Sequence, residues 1–561
     1  MLSESRLYLV FGYVALFGAC SSASDTLDSP VSPASGGHVS SAGGPGNSAQ
    51  GGHTVAVGGQ SSGYTSAPSG FGGTASGGLP SSWNGGASSK GGSGNSANGG
   101  SPGGQAGQST SAGGSSTNAG NASSGGTSSA MGGQTSGGSG PMSGGSPSSG
   151  GAPEPRPSAQ QVIGYFAQWG IYQRNYRVKN IVDSGSAKTL TAINYAFGNI
   201  VNGECVMVTR AGVGDAFADY QKSFQATESV DGKADTWDQN LKGNFNQLKK
   251  LKALYPNIKV LISLGGWTWS KGFSDAALTP ESRARVAKSC VDLYIRGNLP
   301  MLDGDPAGGA AAAAGVFDGV DIDWEYPAYA GDVGSVYRDE DTRNFTLLLE
   351  EFRRQLSAID PKLLLTIAAP AGSPQTALLE LGQIHRHLDW INLMSYDMHG
   401  AWDATGPTNF HAPLLLSNKD PARESGLSAD AAIQRYLDGG VPASKLTLGL
   451  PFYGRGWTGV AAANNGLYQS ASGPAPGTYE AGIEDYRVLA ARAKPGFRDS
   501  AAGAYWTFDG NEFWSFDDPE NIRSKTEYAR SKGLGGVMAW SLDGDTADGQ
   551  LMRAIAAGLS P

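Results

Sequence analysis

Phe317-Asp-Gly-Val-Asp-Ile-Asp-Trp-Glu-Tyr-Pro327 sets three acids, Asp321, Asp323 and Glu325, at alternate positions between Val320, Ile322 and Trp324. Alternate side chains of a strand leave the same face, about 6.6 Å apart per two residues. The apolar side chains between them read as the opposite, buried face. Three carboxylates crowded on a buried strand repel one another and lose hydration. Such crowding raises the pKa of one carboxyl until it keeps its proton near neutral pH. A protonated carboxyl beside an ionised one is the equipment for breaking a glycosidic bond. A calcium loop is the competing reading, but such loops carry Gly and Asn among their acids rather than Val, Ile and Trp.

Outward from this run, similar apolar, β-rich stretches recur at Val162–Trp169, Thr191–Ile200, Lys259–Gly266, Leu363–Ala371, Trp390–Asp397, Lys445–Tyr453 and Gly536–Leu542. With Phe317–Glu325 they make eight. Helical patterns separate them at Asn244–Leu254, Pro280–Arg296, Glu340–Ile359, Ala429–Leu437 and Pro519–Lys532. Near-continuous apolar strands alternating with helices predict a parallel sheet buried on both faces. Eight of them predict an α/β chain folded as a TIM (β/α)8 barrel. The long interval at 455–514, after strand seven, reads as a small α+β insertion, with strand-like pieces around Tyr468, Tyr479 and Tyr505–Phe508. Pro300–Gly315, rich in Gly and Ala, reads as an exposed loop.

In this fold the working residues sit at the C-terminal ends of the strands. The polar and aromatic residues of these runs fall there: Gly265, Gly266, Trp267 and Trp269 after strand three, Glu325 after strand four, Met394, Tyr396 and Asp397 after strand six, Tyr453 and Arg455 after strand seven, Trp540 and Asp543 after strand eight. Two alternatives stay open for the remaining aromatics, Trp267, Trp269, Trp402, Tyr165, Phe197 and Trp514: a stacking groove or core packing.

The acids Asp318, Asp321, Asp323 and Glu325 fit the spacing Asp-x-x-Asp-x-Asp-x-Glu, which resembles the signature of glycoside hydrolase family 18, the chitinase family. Ser263-Leu-Gly-Gly-Trp267 resembles that family's third strand, Asn392-Leu-Met-Ser-Tyr-Asp-Met-His-Gly400 its sixth, Gly449-Leu-Pro-Phe-Tyr-Gly-Arg455 its seventh, and Gly535-Gly-Val-Met-Ala-Trp-Ser-Leu-Asp-Gly-Asp545 its eighth. Gly164-Tyr-Phe166 and Asn194-Tyr-Ala-Phe197 match strands one and two. The stretch from Tyr479 to Phe516 resembles the chitinase insertion domain of one bacterial subgroup. The resemblance covers 160–558. It implies a catalytic domain over 158–561 that hydrolyses β-1,4 bonds of N-acetylglucosamine polymers. It implies a retaining, substrate-assisted mechanism through an oxazolinium ion, with Glu325 as general acid and base. Asp323 would orient the acetamido group, Asp321 would share its proton, and Tyr396 would hydrogen-bond the acetamido oxygen. Trp540 would floor the pocket, and Met394, Asp397, Trp267, Tyr165, Phe197, Tyr453 and Arg455 would bind substrate. An endo-β-N-acetylglucosaminidase acting on N-glycans and a non-catalytic chitin-binding lectin are the alternatives within the same resemblance.

The 561 residues carry a net charge of −9, nearly all of it outside 21–157. An acidic domain argues against nucleic acid or an anionic membrane as partner. Residues 21–157 are mostly Gly, Ser, Ala, Thr, Asn and Gln, with Tyr64, Phe71 and Trp83 among few aromatics. Such a segment buries too little apolar surface to offset chain entropy and reads as a long disordered spacer. At 1–20, the apolar run Leu7–Ala19 is too short to span a bilayer and suits an export signal. The sequence Phe17-Gly-Ala-Cys20 resembles a lipoprotein cleavage site, which predicts lipidation of Cys20 and a cell-surface location, or plain secretion without it. That anchor is the only membrane contact expected. Export permits a disulfide between Cys205 and Cys290, though a buried free thiol is an equal alternative. His385, His387, His399 and His411 show no metal-ligand spacing. No phosphate or dinucleotide motif occurs, so neither metal nor cofactor is expected, and a monomer is.

Overall fold

The β-branched and aliphatic runs fold as eight parallel strands: β1 Gln161–Ala167, β2 Ala192–Val201, β3 Lys259–Gly265, β4 Gly319–Asp323, β5 Leu364–Pro370, β6 Trp390–Met394, β7 Leu446–Pro451 and β8 Gly536–Trp540. The computed structural model describes residues 160–560. The export signal (1–20) with Cys20, and the spacer (21–157), lie outside the described residues. Each strand pairs with its sequence neighbour, and β1 pairs with both β2 and β8, which closes the barrel. All eight expected strands are present.

Alternation sorts their side chains. Val162, Phe166, Ile193, Tyr195, Val260, Ile262, Val320 and Ile322 face outward and meet the helices in the main core. Ile163, Tyr165, Ala192, Ala196, Leu261, Trp390 and Met538 fill the interior. The interior also carries a polar set at full burial: Asn194, Ser263, Asp321, Thr366, Asn392 and Thr447. Core strands normally exclude such residues unless they bond to one another.

The five expected helices form at Gly243–Leu254, Pro280–Cys290, Asp341–Ile359, Ala429–Asp438 and Pro519–Ser531. Three of their starts follow from local chemistry. Thr279, Ser428 and Asp518 each accept a backbone N–H with the side chain, and Pro280 and Pro519 open the helices after the first and last of these. The second helix widens after Cys290 into a π turn, Val291–Ile295. Among the described residues no helix is long and apolar enough to cross a membrane.

A second, antiparallel sheet stands between β7 and β8. Its strands are Tyr453–Thr458, Gly473–Pro474, Ile483–Asp485, Gly496–Asp499, Ala504–Phe508 and Phe513–Phe516. It encloses its own core of Trp457, Leu467, Trp506, Phe508 and Phe513. It is slightly wider than the expected 455–514, because only Phe452 separates the end of β7 from Tyr453. Tyr468 and Tyr479 lie in loops, not strands; Tyr505–Phe508 is strand as expected. Pro300–Gly315 is not wholly exposed. Ala307, Ala312 and Ala313 are buried, and Leu299 exchanges hydrogen bonds with Gly309, since residues this small let the loop pack inward. Cys205 and Cys290 form a disulfide that ties a short strand, Glu204–Val206, to the second helix.

Candidate active site

Asp321 points into the barrel and is fully buried. Four other strands of the barrel, β1, β3, β5 and β6, supply a donor each. Tyr165 Oη (2.7 Å) and Ser263 Oγ (2.8 Å) donate to Oδ2, and Thr366 Oγ1 (2.5 Å) and Asn392 Nδ2 (3.2 Å) donate to Oδ1. Burial raises the Asp321 pKa, and these four bonds pull it back. Tyr165 therefore meets the site through its hydroxyl, with its ring closed off in the barrel.

Asp323 is two residues further along the same face and has no such support. Its Oδ1 is buried with no hydrogen-bond partner among the described residues. Burial, then the charges of Glu325 and Asp321, push its pKa well above the ordinary carboxylate range. Glu325 sits just past the end of β4, its N–H donating to Ser270 Oγ (2.8 Å). Burial lifts its pKa to about 7; a hydrogen bond from Tyr326 opposes the rise and the charge of Asp397 adds to it. Glycines make room here. A Cβ on Gly265 (φ 105°) would lie 2.3 Å from the Asp323 carbonyl oxygen, and one on Gly331 would lie 2.0 Å from that of Glu325.

Asp397, after β6, is 36 % exposed and heavily partnered. Arg455 grips it with two bonds, Nε to Oδ1 (2.8 Å) and Nη2 to Oδ2 (2.7 Å), and Tyr453 Oη donates to Oδ1 (2.7 Å). Burial alone would raise its pKa, but Arg455 and His411 hold it far below the usual range. The Tyr396 hydroxyl lies 3.8 Å from Met538 Sδ, and the charge of Asp323, after burial, is the largest influence on it.

Trp540 ends β8 partly open, edge-on to Tyr165 (5.2 Å between centroids) and stacked on Phe197 (5.7 Å). Trp267 is partly open beside Tyr326, and its indole Nε1 is buried without a partner among the described residues. Met394 is partly open at the end of β6. Trp402 is 41 % exposed under the Arg455 guanidinium. Trp514 is not a groove residue: it is fully buried in the core against Gly456. Thr366, Asn392, Ser270 and Tyr326 are partners that sequence reasoning passed over. Their one signal was polarity at inward positions of apolar strands or beside the acids. Among the described residues no cluster of His, Cys, Asp and Glu could hold a metal ion.

Comparison with known proteins gives one consistent result. Residues 161–545 match the model of glycosyl hydrolases family 18. Chitinase 63 of Streptomyces plicatus is 44 % identical over 415 residues, 73 % of this chain and 62 % of that protein. Chitinase C of Streptomyces lividans is 44 % identical over 404 residues, 71 % of this chain and 60 % of that protein. The chain thus spans about three-fifths of each relative's length. The catalytic domain of the psychrophilic chitinase B from Arthrobacter TAD20 superposes with a TM-score of 0.69 at 44 % identity, covering 72 % of this chain and 95 % of that one.

Proposed function

The chain belongs to glycosyl hydrolase family 18, and on that premise we propose that it is a chitinase, hydrolysing β-1,4 bonds between N-acetylglucosamine units with retention of configuration. One observation carries the reading. Glu325, protonated up to about pH 7, stands near Asp323, whose Oδ1 has no partner among the described residues. A buried acid without a donor is costly unless a substrate supplies one, and an acetamido N–H is such a donor.

Glu325 gives its proton to the glycosidic oxygen as the C1–O bond breaks. The acetamido carbonyl oxygen of the same sugar forms the new bond to C1, yielding a cyclic oxazolinium ion, so no enzyme carboxylate becomes attached. Asp323 accepts the acetamido N–H and its charge offsets the cation. Asp321, bonded on both oxygens, is the fixed partner with which Asp323 shares a proton. Tyr396 donates to the acetamido oxygen, and Trp540 supports the sugar ring from below. Water then adds to C1, its proton passing to Glu325, and the oxazolinium ring opens. The acid is restored. Met394, Asp397, Trp267, Phe197, Tyr453 and Arg455 shape the pocket around this sugar.

The same reading has the protein exported, anchored through lipidated Cys20 and acting as a monomer. The apolar run Leu7–Ala19 supports export, and the small residues before Cys20 support the anchor. Loss of membrane association in Cys20→Ala would be the sign of it.

The test is hydrolysis of chito-oligosaccharides with fresh product anomers followed by NMR. Rapid release of the β-anomer supports the proposal. Release of the α-anomer sinks the mechanism. Binding without turnover would favour a lectin, and activity confined to high-mannose glycoproteins an endo-β-N-acetylglucosaminidase.

A further inference from the structure

His411 takes no part in the steps above, yet its imidazole is wholly buried and lies next to the site. Its backbone is fastened on two sides. Its N–H donates to Ser515 Oγ (3.2 Å) in the second sheet, and its carbonyl accepts from the N–H of Met398, the residue after Asp397. The His411 backbone is thereby tied to the segment that carries Asp397. Nδ1 stands 3.6 Å from Asp397 Oδ1, the same oxygen that takes the Tyr453 hydroxyl and Arg455 Nε. The two aromatic rings of His411 and Tyr453 are 5.2 Å apart.

The charges around the imidazole come from three further elements. Arg455 faces it from the strand Tyr453–Thr458, and Asp517 from the end of the strand Phe513–Phe516. Lys525, on the helix Pro519–Ser531, closes an ion pair with Asp517 at 2.5 Å and also bonds the Ala412 carbonyl. Asp517 is thus already paired, and Asp397 is the acid left for His411 to address. Burial holds the imidazole pKa below its ordinary value, against the pull of Asp397 and Asp517. A carboxylate only accepts hydrogen bonds, so the nitrogen facing it must carry the hydrogen. That assigns the Nδ1–H tautomer.

We infer that His411 is a positioning residue: its Nδ1–H fixes the Asp397 carboxylate between Arg455 and the groove, and so keeps that charge directed at Glu325. This rests on the proposed glycosidase reading. Without His411, Arg455 draws Asp397 toward itself, and the field that helps Glu325 keep its proton weakens.

The experiment compares His411→Ala, His411→Asn and His411→Gln with the parent on chito-oligosaccharides across pH. Asn places an N–H close to where Nδ1 stood; Gln places one further out. His411→Ala should lower kcat about tenfold with a smaller change in KM, and should move the basic limb of the kcat/KM profile to lower pH. His411→Asn should restore most of both, and His411→Gln should not. Equal losses in all three, or a lower Tm with an unmoved pH profile, would overturn the inference in favour of simple packing. A readout independent of turnover is the tautomer, seen in long-range ¹H–¹⁵N spectra assigned by difference from His411→Asn. The neutral Nδ1–H form should be the one seen at about pH 7 and above, and an Nε2–H form would overturn the inference even if the enzyme is active. A parent that hydrolyses no substrate, with the Nδ1–H tautomer intact, would instead count against the proposed function alone.

Discussion

The ends of β4 and β6 each carry a carboxylate at the site, and they treat it in opposite ways. Asp323 has an oxygen without a partner among the described residues, and its pKa is driven up by burial and by its neighbours. Asp397 accepts three bonds from Tyr453 and Arg455, and its pKa is driven far down. Desolvation pushes both upward, so the supply of donors decides the outcome. Asp321 is the intermediate case, with four neutral donors. The difference separates work from support. The acids at β4 are left able to change proton or partner, and the acid at β6 is locked as a permanent charge.

The harshest test of that division is Glu325→Gln. Loss of the proposed general acid and base should cut kcat by about 10³-fold while oligomer binding survives, as calorimetry would show. Asp323→Asn comes next. It keeps the shape and removes the acceptor and the charge, so kcat should fall about 10²-fold with KM little changed in steady-state assays. Arg455→Ala should erase the contrast itself. Asp397, stripped of its cation, should titrate upward toward Asp323, visible in ¹³C carboxylate spectra, with kcat/KM lower by about tenfold.

A quieter test uses stability. The folded pKa of Glu325, about 7, is above its value in an unfolded chain, near 4.3. The folded state therefore binds the extra proton in that window, and stability falls as pH rises through it. Glu325→Gln should melt at a higher temperature than the parent above pH 7, and the gap should close toward about pH 4. Smallest for catalysis is the disulfide. Cys205→Ser with Cys290→Ser should leave kcat unchanged. It should cost about 4 kcal/mol of stability in denaturant titrations, the scale set by the 85-residue separation it spans.

The barrel was legible because each strand is a mostly apolar, buried run, a pattern that survives without its neighbours. The acids at β4 were legible for the same local reason: Asp321, Asp323 and Glu325 alternate with Val320, Ile322 and Trp324. What resisted was everything settled between distant segments. Asp397 and Arg455 are 58 residues apart, and nothing near either names the other. The four donors to Asp321 come from four strands, and polarity at Thr366 or Asn392 looks like noise until the barrel closes. Trp514 and Trp540 have similar neighbours in sequence, yet one is core and one opens on the groove, since periodicity records a face and not what covers it. The short strands of the second sheet fell below the length at which alternation can be read.

Tyr453 and Arg455 belong at once to the first strand of the second sheet and to the charge balance of Asp397. Anyone redesigning the groove will be tempted to treat that sheet as a detachable wall and to excise it at the barrel's edge, between Phe452 and Asp517. Such a cut would also remove the counter-ion of Asp397 and one backbone anchor of His411, and an open but idle barrel would result. A graft that begins after Thr458 and ends before Phe513 keeps Tyr453, Arg455 and Ser515 in place, and with them that electrostatic hinge.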